Sequence, residues 1–183
     1  MDTLIIKDIT SALSCASIYH ADQRRKGERK EPYINHIIEV LELLSLLEYK
    51  EYFRDLLIAG ILHDILEDTK MTKMSIRHLF GKNVLSIVEE VTDDKNLSRT
   101  ERKQHQIDSS KTKTDPAKLI KLADKISNIK SLIKSEPVGW EYSEKIEYIE
   151  WSKKVAEQCF GVDSVLDSMF MDTYDTAKSH LGY

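Results

Sequence analysis

An all-α fold, a compact single-domain helical bundle over residues 1–183, is what this sequence predicts. Three observations carry that reading. Six glycines and three prolines are all that punctuate the 183 residues. Apolar residues recur at three- and four-residue spacing through nearly the whole chain, which is the period of a helix with one buried face. Three polar interruptions stand out, at 23–31, 92–99 and 135–140, and loops this short imply helices packed against their sequence neighbours.

Helices are expected over 2–22, 36–48, 51–67, 72–79, 82–91, 99–108, 115–133, 141–160 and 163–178. The first, fourth, fifth and sixth rest on the three-and-four spacing alone. The second begins in PYINHIIEVLELL, where Asn35 is the candidate N-cap and His36 falls in the first turn. The third contains FRDLLIAGILHDILE, apolar over most of its middle and so a helix buried on nearly every side. The seventh contains KLIKLADKISNIKSLI, in which Asp124 is bracketed by Leu122, Ala123 and Ile126. In the eighth region Trp140, Tyr148 and Trp151 sit at helical spacing as core positions, with Tyr148 able to reach a pocket edge. The last places Val162, Val165, Leu166, Met169 and Phe170 on one stripe, which predicts docking on the body of the protein.

Composition narrows the function classes. Apolar residues at 41%, charged residues at 32% and a formal net charge of -4 describe a globular protein for which nucleic acid is not the expected partner. Cys15 and Cys159 lie far apart in helix-like contexts and form no redox motif, as suits a reducing compartment. The N-terminus lacks a basic start followed by a long apolar stretch, and nowhere do 18 apolar residues run together, so neither export nor a membrane span is expected. A cytoplasmic protein follows from these readings. No large surplus of apolar surface is apparent, and a monomer is expected.

The third helix ends in His63, Asp64, Glu67 and Asp68. Ionisable groups at the end of a buried helix are costly unless they are paired or hold a metal. His63 and Glu67 are four apart, as are Asp64 and Asp68, so the four converge within two turns at the helix end whose partial negative charge favours a cation. Asp124 and Asn128 share a face of another helix, and His36 offers an imidazole from a third. Each has a plainer reading when taken alone: His36 as a capping or packed residue, Asp124 as the partner of Lys121 or Lys125, and the basic run Arg24, Arg25, Lys26, Arg29, Lys30 as an exposed charged loop. Together, two imidazoles and two carboxylates make a mixed N/O site suited to Mn²⁺, Fe²⁺ or Zn²⁺ more than to Ca²⁺, and spacing alone does not choose among them.

The order His36, His63-Asp64, Asp124 resembles the HD-domain metal phosphohydrolases, and more narrowly the hydrolase domain of the RelA/SpoT family and its free-standing small members. The stretches that carry the resemblance are ADQRRKGERKEPYINH, AGILHDILEDT, FGKNVLSIVEEVTDDKNL with ERKQHQ, AKLIKLADKISNIKSL and GWEYSEKIEYIEW, spanning about 21–151. An HD pair alone recurs by chance, whereas HDxxEDT between those flanks is specific. The resemblance implies a bundle of the HD-domain type, with His36, His63, Asp64 and Asp124 as ligands of one Mn²⁺ per chain. It implies Glu67 and Asp68 as the catalytic acidic pair. Arg25 and Lys26 then grip the nucleotide base, Tyr33 lies near that pocket, and Asn128 and Tyr148 contact ribose and phosphates. Two departures are visible. Ile37 stands where the family often has a proline that only preorganises a helix start, and the loop GERKE differs in length and charge beside the base pocket.

The implied reaction is removal of the 3′-pyrophosphate from a guanosine alarmone of the stringent response such as ppGpp, giving GDP or GTP and pyrophosphate. Four protein ligands leave room for water and a phosphate oxygen only at coordination numbers above four, which favours Mn²⁺ over tetrahedral Zn²⁺. Nothing in the chain resembles the synthetase or regulatory domains of the long family members, so degradation alone is expected. A cognate alarmone synthetase is a conceivable partner in the cell. The rival readings are the same fold acting on ppApp or on the 2′-phosphate of NADPH, and a non-catalytic protein that sequesters alarmone or a partner. Retention of His36, His63, Asp64, Glu67, Asp68 and Asp124 counts against the last.

Overall fold

The computed structural model describes residues 3–47 and 52–183; among them the only β pairing consists of isolated bridges. The element order is α1 (Thr3–Tyr19), α2 (Ile34–Ser45), α3 (Phe53–Ile61), α4 (Ile65–Asp68), α5 (Lys73–Phe80), α6 (Lys82–Val91), α7 (Arg99–Ser110), α8 (Asp115–Lys134), α9 (Tyr142–Glu157) and α10 (Ser164–Leu181). The all-α expectation holds. The expected helix limits at residues 2, 48 and 51 lie outside the described residues.

Helix α8 is the axis of the bundle and packs on α2, α3, α6, α9 and α10. From Leu119 through Ser127 every residue is buried, and at 3.6 residues per turn such a run faces all the way round the helix. Its apolar members join a core that runs from α1 to α10. Lys121, Asp124, Lys125 and Ser127 are buried with them, and polar groups so placed must find partners inside the protein. Helix α3 is equally enclosed, with Leu56 through Ile61 all buried. Gly60 permits its close approach to α2, because a Cβ there would stand 2.4 Å from Cδ1 of the fully buried Leu44.

Local chemistry sets the helix ends. Ser98 and Glu101 form a reciprocal capping box at α7, as Glu141 and Glu144 do at α9, each satisfying backbone N–H groups that the helix leaves open. Asp163 accepts from the amides of Val165 and Leu166 at the start of α10, and Gly182 in the left-handed region ends it.

Three local expectations are corrected. Asn35 does not cap α2: the N-cap is Tyr33, without a side-chain bond, and the first turn is closed by backbone bonds from Asn35 N to Pro32 O and from His36 N to Tyr33 O. Val165 is 52% exposed; it lies in the first turn of α10, one residue off the Leu166, Phe170, Thr173, Tyr174, Ala177 row that faces the core. The helix expected to run through residue 67 stops at Ile61. Leu62 leaves helical geometry at φ -101°, ψ 7°, and α4 starts afresh at Ile65.

Candidate metal centre and active site

The break between α3 and α4 builds the site. In one continuous helix His63 and Asp64 would point about 100° apart and could not face a common point. At the turn, the His63 ring swings so that Nδ1–H donates to Gly60 O at 2.8 Å, filling one of the carbonyls left open at the end of α3. Its Nε2 then lies 2.9 Å from Asp64 Oδ2. Tyr33 donates its hydroxyl to that same oxygen and holds it in place.

Helix α2 brings His36 to this point and α8 brings Asp124. His36 Nε2 stands 3.3 Å from His63 Nε2, 3.6 Å from Asp64 Oδ2 and 3.4 Å from Asp124 Oδ1. His36, His63 and Asp124 offer ligand atoms that all lie within 4.8 Å of one another. Both imidazoles have Nδ1 engaged elsewhere, His36 with Ser127 Oγ and His63 with Gly60 O, so Nε2 is the ring nitrogen that each turns toward the cluster. Lone pairs and carboxylate oxygens crowded into a buried space repel one another unless a cation lies among them. The donor set fits a borderline divalent ion.

Electrostatics agree. Burial would push the His63 imidazolium down, but Asp64 and Asp124 override it and hold its pKa up at about 10. Burial would raise both aspartates, yet His63 and His36 draw Asp64 well below its ordinary value, and Lys125 with the two imidazoles does the same for Asp124. The centre demands positive charge, and a proton on His63 supplies it when no metal is bound. A metal must displace that proton. Below about pH 10 binding therefore releases about one proton, and apparent affinity rises with pH and falls on acidification. Calorimetric titration at pH 7 in two buffers of different ionisation enthalpy is expected to show that release; equal heats in both buffers would contradict it.

Asp124 is held by two neighbours on its own helix. Its Oδ2 pairs with the buried Lys125 ammonium at 3.0 Å, and Oδ1 accepts from Asn128 Nδ2. The lysine pair is present, and because the carboxylate has two oxygens it leaves Oδ1 facing the imidazoles. Lys125 also lies 4.4 Å from the centre of the Trp151 ring, a cation–π contact that helps hold a desolvated ammonium.

Beside the cluster opens a cavity of about 290 Å³ whose walls include Arg25, Lys26, Tyr33, Asp68, Asn128 and Tyr148. Arg24 and Trp140 line it too. One face is thus cationic and another aromatic, which suits an anionic nucleotide. Arg25 donates to Asn128 Oδ1 at 3.0 Å and lies over the Tyr33 ring, so the cavity wall reaches two aspartates of the cluster through single side chains. Glu67 does not line this cavity. Its oxygens face Asp93 N at 3.3 Å and Lys95 Nζ at 3.3 Å, and Lys95 also meets Asp68 Oδ1 at 3.0 Å. Burial, then Asp93 and Asp64, push the Glu67 carboxyl up.

The basic loop is clasped to the turn after α8. Glu28 N donates to Glu136 O and Val138 N to Lys26 O, and a Cβ on Gly27 would fall 2.3 Å from the carbonyl oxygen of Ser135. Gly27→Ala is expected to push the loop off and raise KM about tenfold, equivalent to ~1.4 kcal/mol of lost binding. Metal affinity should stay constant in the same protein; an unchanged KM would show that the clasp does not shape the pocket.

Residues 12–149 match the family described as HD domain. The chain belongs to the HD-domain family. It is similar to MESH1 of Drosophila melanogaster, a guanosine-3′,5′-bis(diphosphate) 3′-pyrophosphohydrolase, at 40% identity over 85% of this chain and 86% of that protein. The Xenopus tropicalis and human proteins of the same name are 41% and 37% identical, covering 90% and 87% of this chain and 93% and 88% of theirs. Among solved structures it resembles a metazoan orthologue of SpoT, described as hydrolysing ppGpp and acting in starvation responses. The TM-score is 0.86 at 35% identity, over 92% of this chain and 94% of that one. A Listeria monocytogenes structure is similar at TM-score 0.67 and 30% identity, over 84% of this chain and 98% of that one.

HD-domain hydrolases are metal-dependent, and the His36, His63, Asp124 group meets that requirement. Four residues of this HD-domain site escaped the sequence reading: Glu39, Ser127, Lys95 and Gln23. Gln23 donates to the backbone oxygen of Asp68 at 2.7 Å and contacts His20 Nδ1. Glu39 stands three residues after His36 and Ser127 three after Asp124, spacings that put them near the ligand faces. Nothing in the sequence pattern joins those two helices, and nothing brings Lys95 to α4.

Proposed function

We propose that this chain is a divalent-metal-dependent 3′-pyrophosphohydrolase of guanosine alarmones, releasing pyrophosphate and leaving GDP from guanosine 3′,5′-bis(diphosphate), or GTP from its 5′-triphosphate counterpart. The observation that carries the reading is the junction of the His36, His63, Asp64, Asp124 cluster with the cationic and aromatic cavity. The relatives named for this activity, similar along nearly their whole length, support the substrate. Mn²⁺ is the ion proposed, one per chain, held by His36, His63, Asp64 and Asp124. No helix among the described residues is long and apolar enough to cross a membrane.

Bound there, a divalent ion supplies Lewis-acid activation of water and of the phosphate. The protein does the rest. Arg25, Lys26 and neighbouring Arg24 offset the charge of a substrate that must approach several carboxylates. Tyr33 and Tyr148 bound the base and ribose, and Asn128 sits between them and Asp124. Asp68 lines the cavity wall, which supports the proposal that it orients water and accepts its proton. Glu67, outside the cavity wall, shares Lys95 with Asp68, and we propose that this acidic pair returns the proton to the departing 3′-oxygen. Water's oxygen ends on the released pyrophosphate, and the proton it loses is balanced by the one the ribose oxygen gains.

The test is incubation of metal-stripped protein with ppGpp, ppApp and NADPH separately, with and without Mn²⁺, and chromatography of the products. Manganese-dependent pyrophosphate release with ppGpp preferred is the expected result. Preference for ppApp, or orthophosphate release from NADPH, would reassign the substrate, and metal binding without turnover of any of the three would point to a sequestering protein.

A further inference from the structure

His36 and His63 present the same atom to the cluster, but the protein supports them differently. His63 Nδ1–H donates to a neutral backbone carbonyl. His36 Nδ1 lies 2.8 Å from Ser127 Oγ, and that hydroxyl lies 2.6 Å from Glu39 Oε2. A serine hydroxyl has one proton, and a carboxylate can only accept. The Ser127 proton therefore goes to Glu39, its oxygen lone pair receives His36 Nδ1–H, and the tautomer of His36 is decided with Nε2 bare. The negative charge of Glu39 also polarises the whole relay toward the ring, making Nε2 a stronger donor than an imidazole resting on a neutral carbonyl.

Position adds to the case. Ser127 is fully buried on α8, while Glu39 and His36 sit three apart on α2, so the relay straps together the two helices that supply His36 and Asp124. Glu39 is half-buried at the wall of a second cavity of about 260 Å³, which His36, Lys130 and Lys134 also line. That opening leaves its carboxylate partly hydrated, which avoids most of the cost of burying a charge.

From this geometry we infer that Ser127 and Glu39 are positioning residues for the metal centre, setting its affinity by orienting His36 and strengthening its Nε2. The inference rests on the metal-site reading above. Neither residue touches the nucleotide cavity, so both act through His36 alone.

The experiment is calorimetric titration of metal-stripped full-length protein with Mn²⁺, for wild type, Ser127→Ala and Glu39→Gln, with a melting curve and a Mn²⁺-dependent activity curve for each. Removing the hydroxyl should weaken Mn²⁺ binding about 10–100-fold, the usual effect of losing such support. Glu39→Gln keeps shape and an acceptor while removing the charge, and should weaken binding by a smaller factor, roughly tenfold or less. Most of kcat should return at saturating Mn²⁺ in both, because the reacting groups are intact. A merely structural strap would lower the melting temperature of the metal-free variants and leave the Mn²⁺ dissociation constant where it was. That outcome in both variants, with wild type binding normally, overturns the inference. Failure of wild-type protein to bind Mn²⁺ would instead sink the metal-site reading on which it rests.

Discussion

Asp124→Ala is expected to abolish metal binding and, separately, to cost the metal-free protein about 3–5 kcal/mol of stability, as loss of one partner of a buried ion pair does. The two effects come from the two oxygens of one side chain. Oδ1 faces the imidazoles and Asn128, and Oδ2 neutralises Lys125, which is 3% exposed. Removing the carboxylate leaves a desolvated ammonium without its paired charge, against the Trp151 ring. For a chain of this size the loss corresponds to a fall in melting temperature of roughly 6–20 °C. The double variant Asp124→Ala/Lys125→Met separates the two roles. It should regain most of the stability, because the unpaired charge is gone, and regain none of the metal affinity. Calorimetry for the ion and thermal melting for the fold read the two arms independently. A double variant as unstable as the single one would show that the pair is not the source of the cost.

Asp68→Ala should behave in the opposite way, with the fold and the metal kept and the chemistry lost. The Asp68 side chain is 35% exposed, and the bond that ties its segment to Gln23 runs to the backbone oxygen, which alanine retains. Lys95 keeps Glu67 as a partner. What disappears is the carboxylate on the cavity wall that is proposed to take a proton from water. A fall in kcat of about 10²–10⁴ is expected, the range for loss of a general base. The measurement is pyrophosphate release at saturating Mn²⁺ and ppGpp, beside a Mn²⁺ titration of the same variant. Wild-type turnover with the ion bound would remove Asp68 from the mechanism. A parallel loss of metal affinity would place it in the metal's support.

Helix content was legible in the sequence because apolar spacing is a local property. For α8, with Asp124 set among Leu122, Ala123 and Ile126, the periodicity marked both the helix and its buried face. The ligand types were legible for a similar reason: four ionisable side chains closing an apolar stretch at His63 to Asp68 are unusual whatever surrounds them. The same local pattern misplaced the continuity of that segment. A helix through residue 67 satisfies the apolar spacing; at the break Gly60 O accepts the His63 Nδ1 proton and His63 Nε2 meets Asp64, contacts that the spacing does not encode. Asn35 was misread as a cap because backbone bonds from the Pro32–Tyr33 turn already close the first turn of α2.

The sequence by itself determined an all-helical chain, the two central helices, and the side-chain types that gather at their polar ends. Tertiary structure alone decided which of those groups meet. The joining of His36 to Ser127 and Glu39, of Asp68 and Glu67 to Lys95, and of the basic loop to the turn after α8 are contacts between segments far apart in the chain. Their energies depend on distances of a few ångströms and on the exclusion of water. Periodicity reports which face of a helix is buried, and carries no information about what lies across the gap.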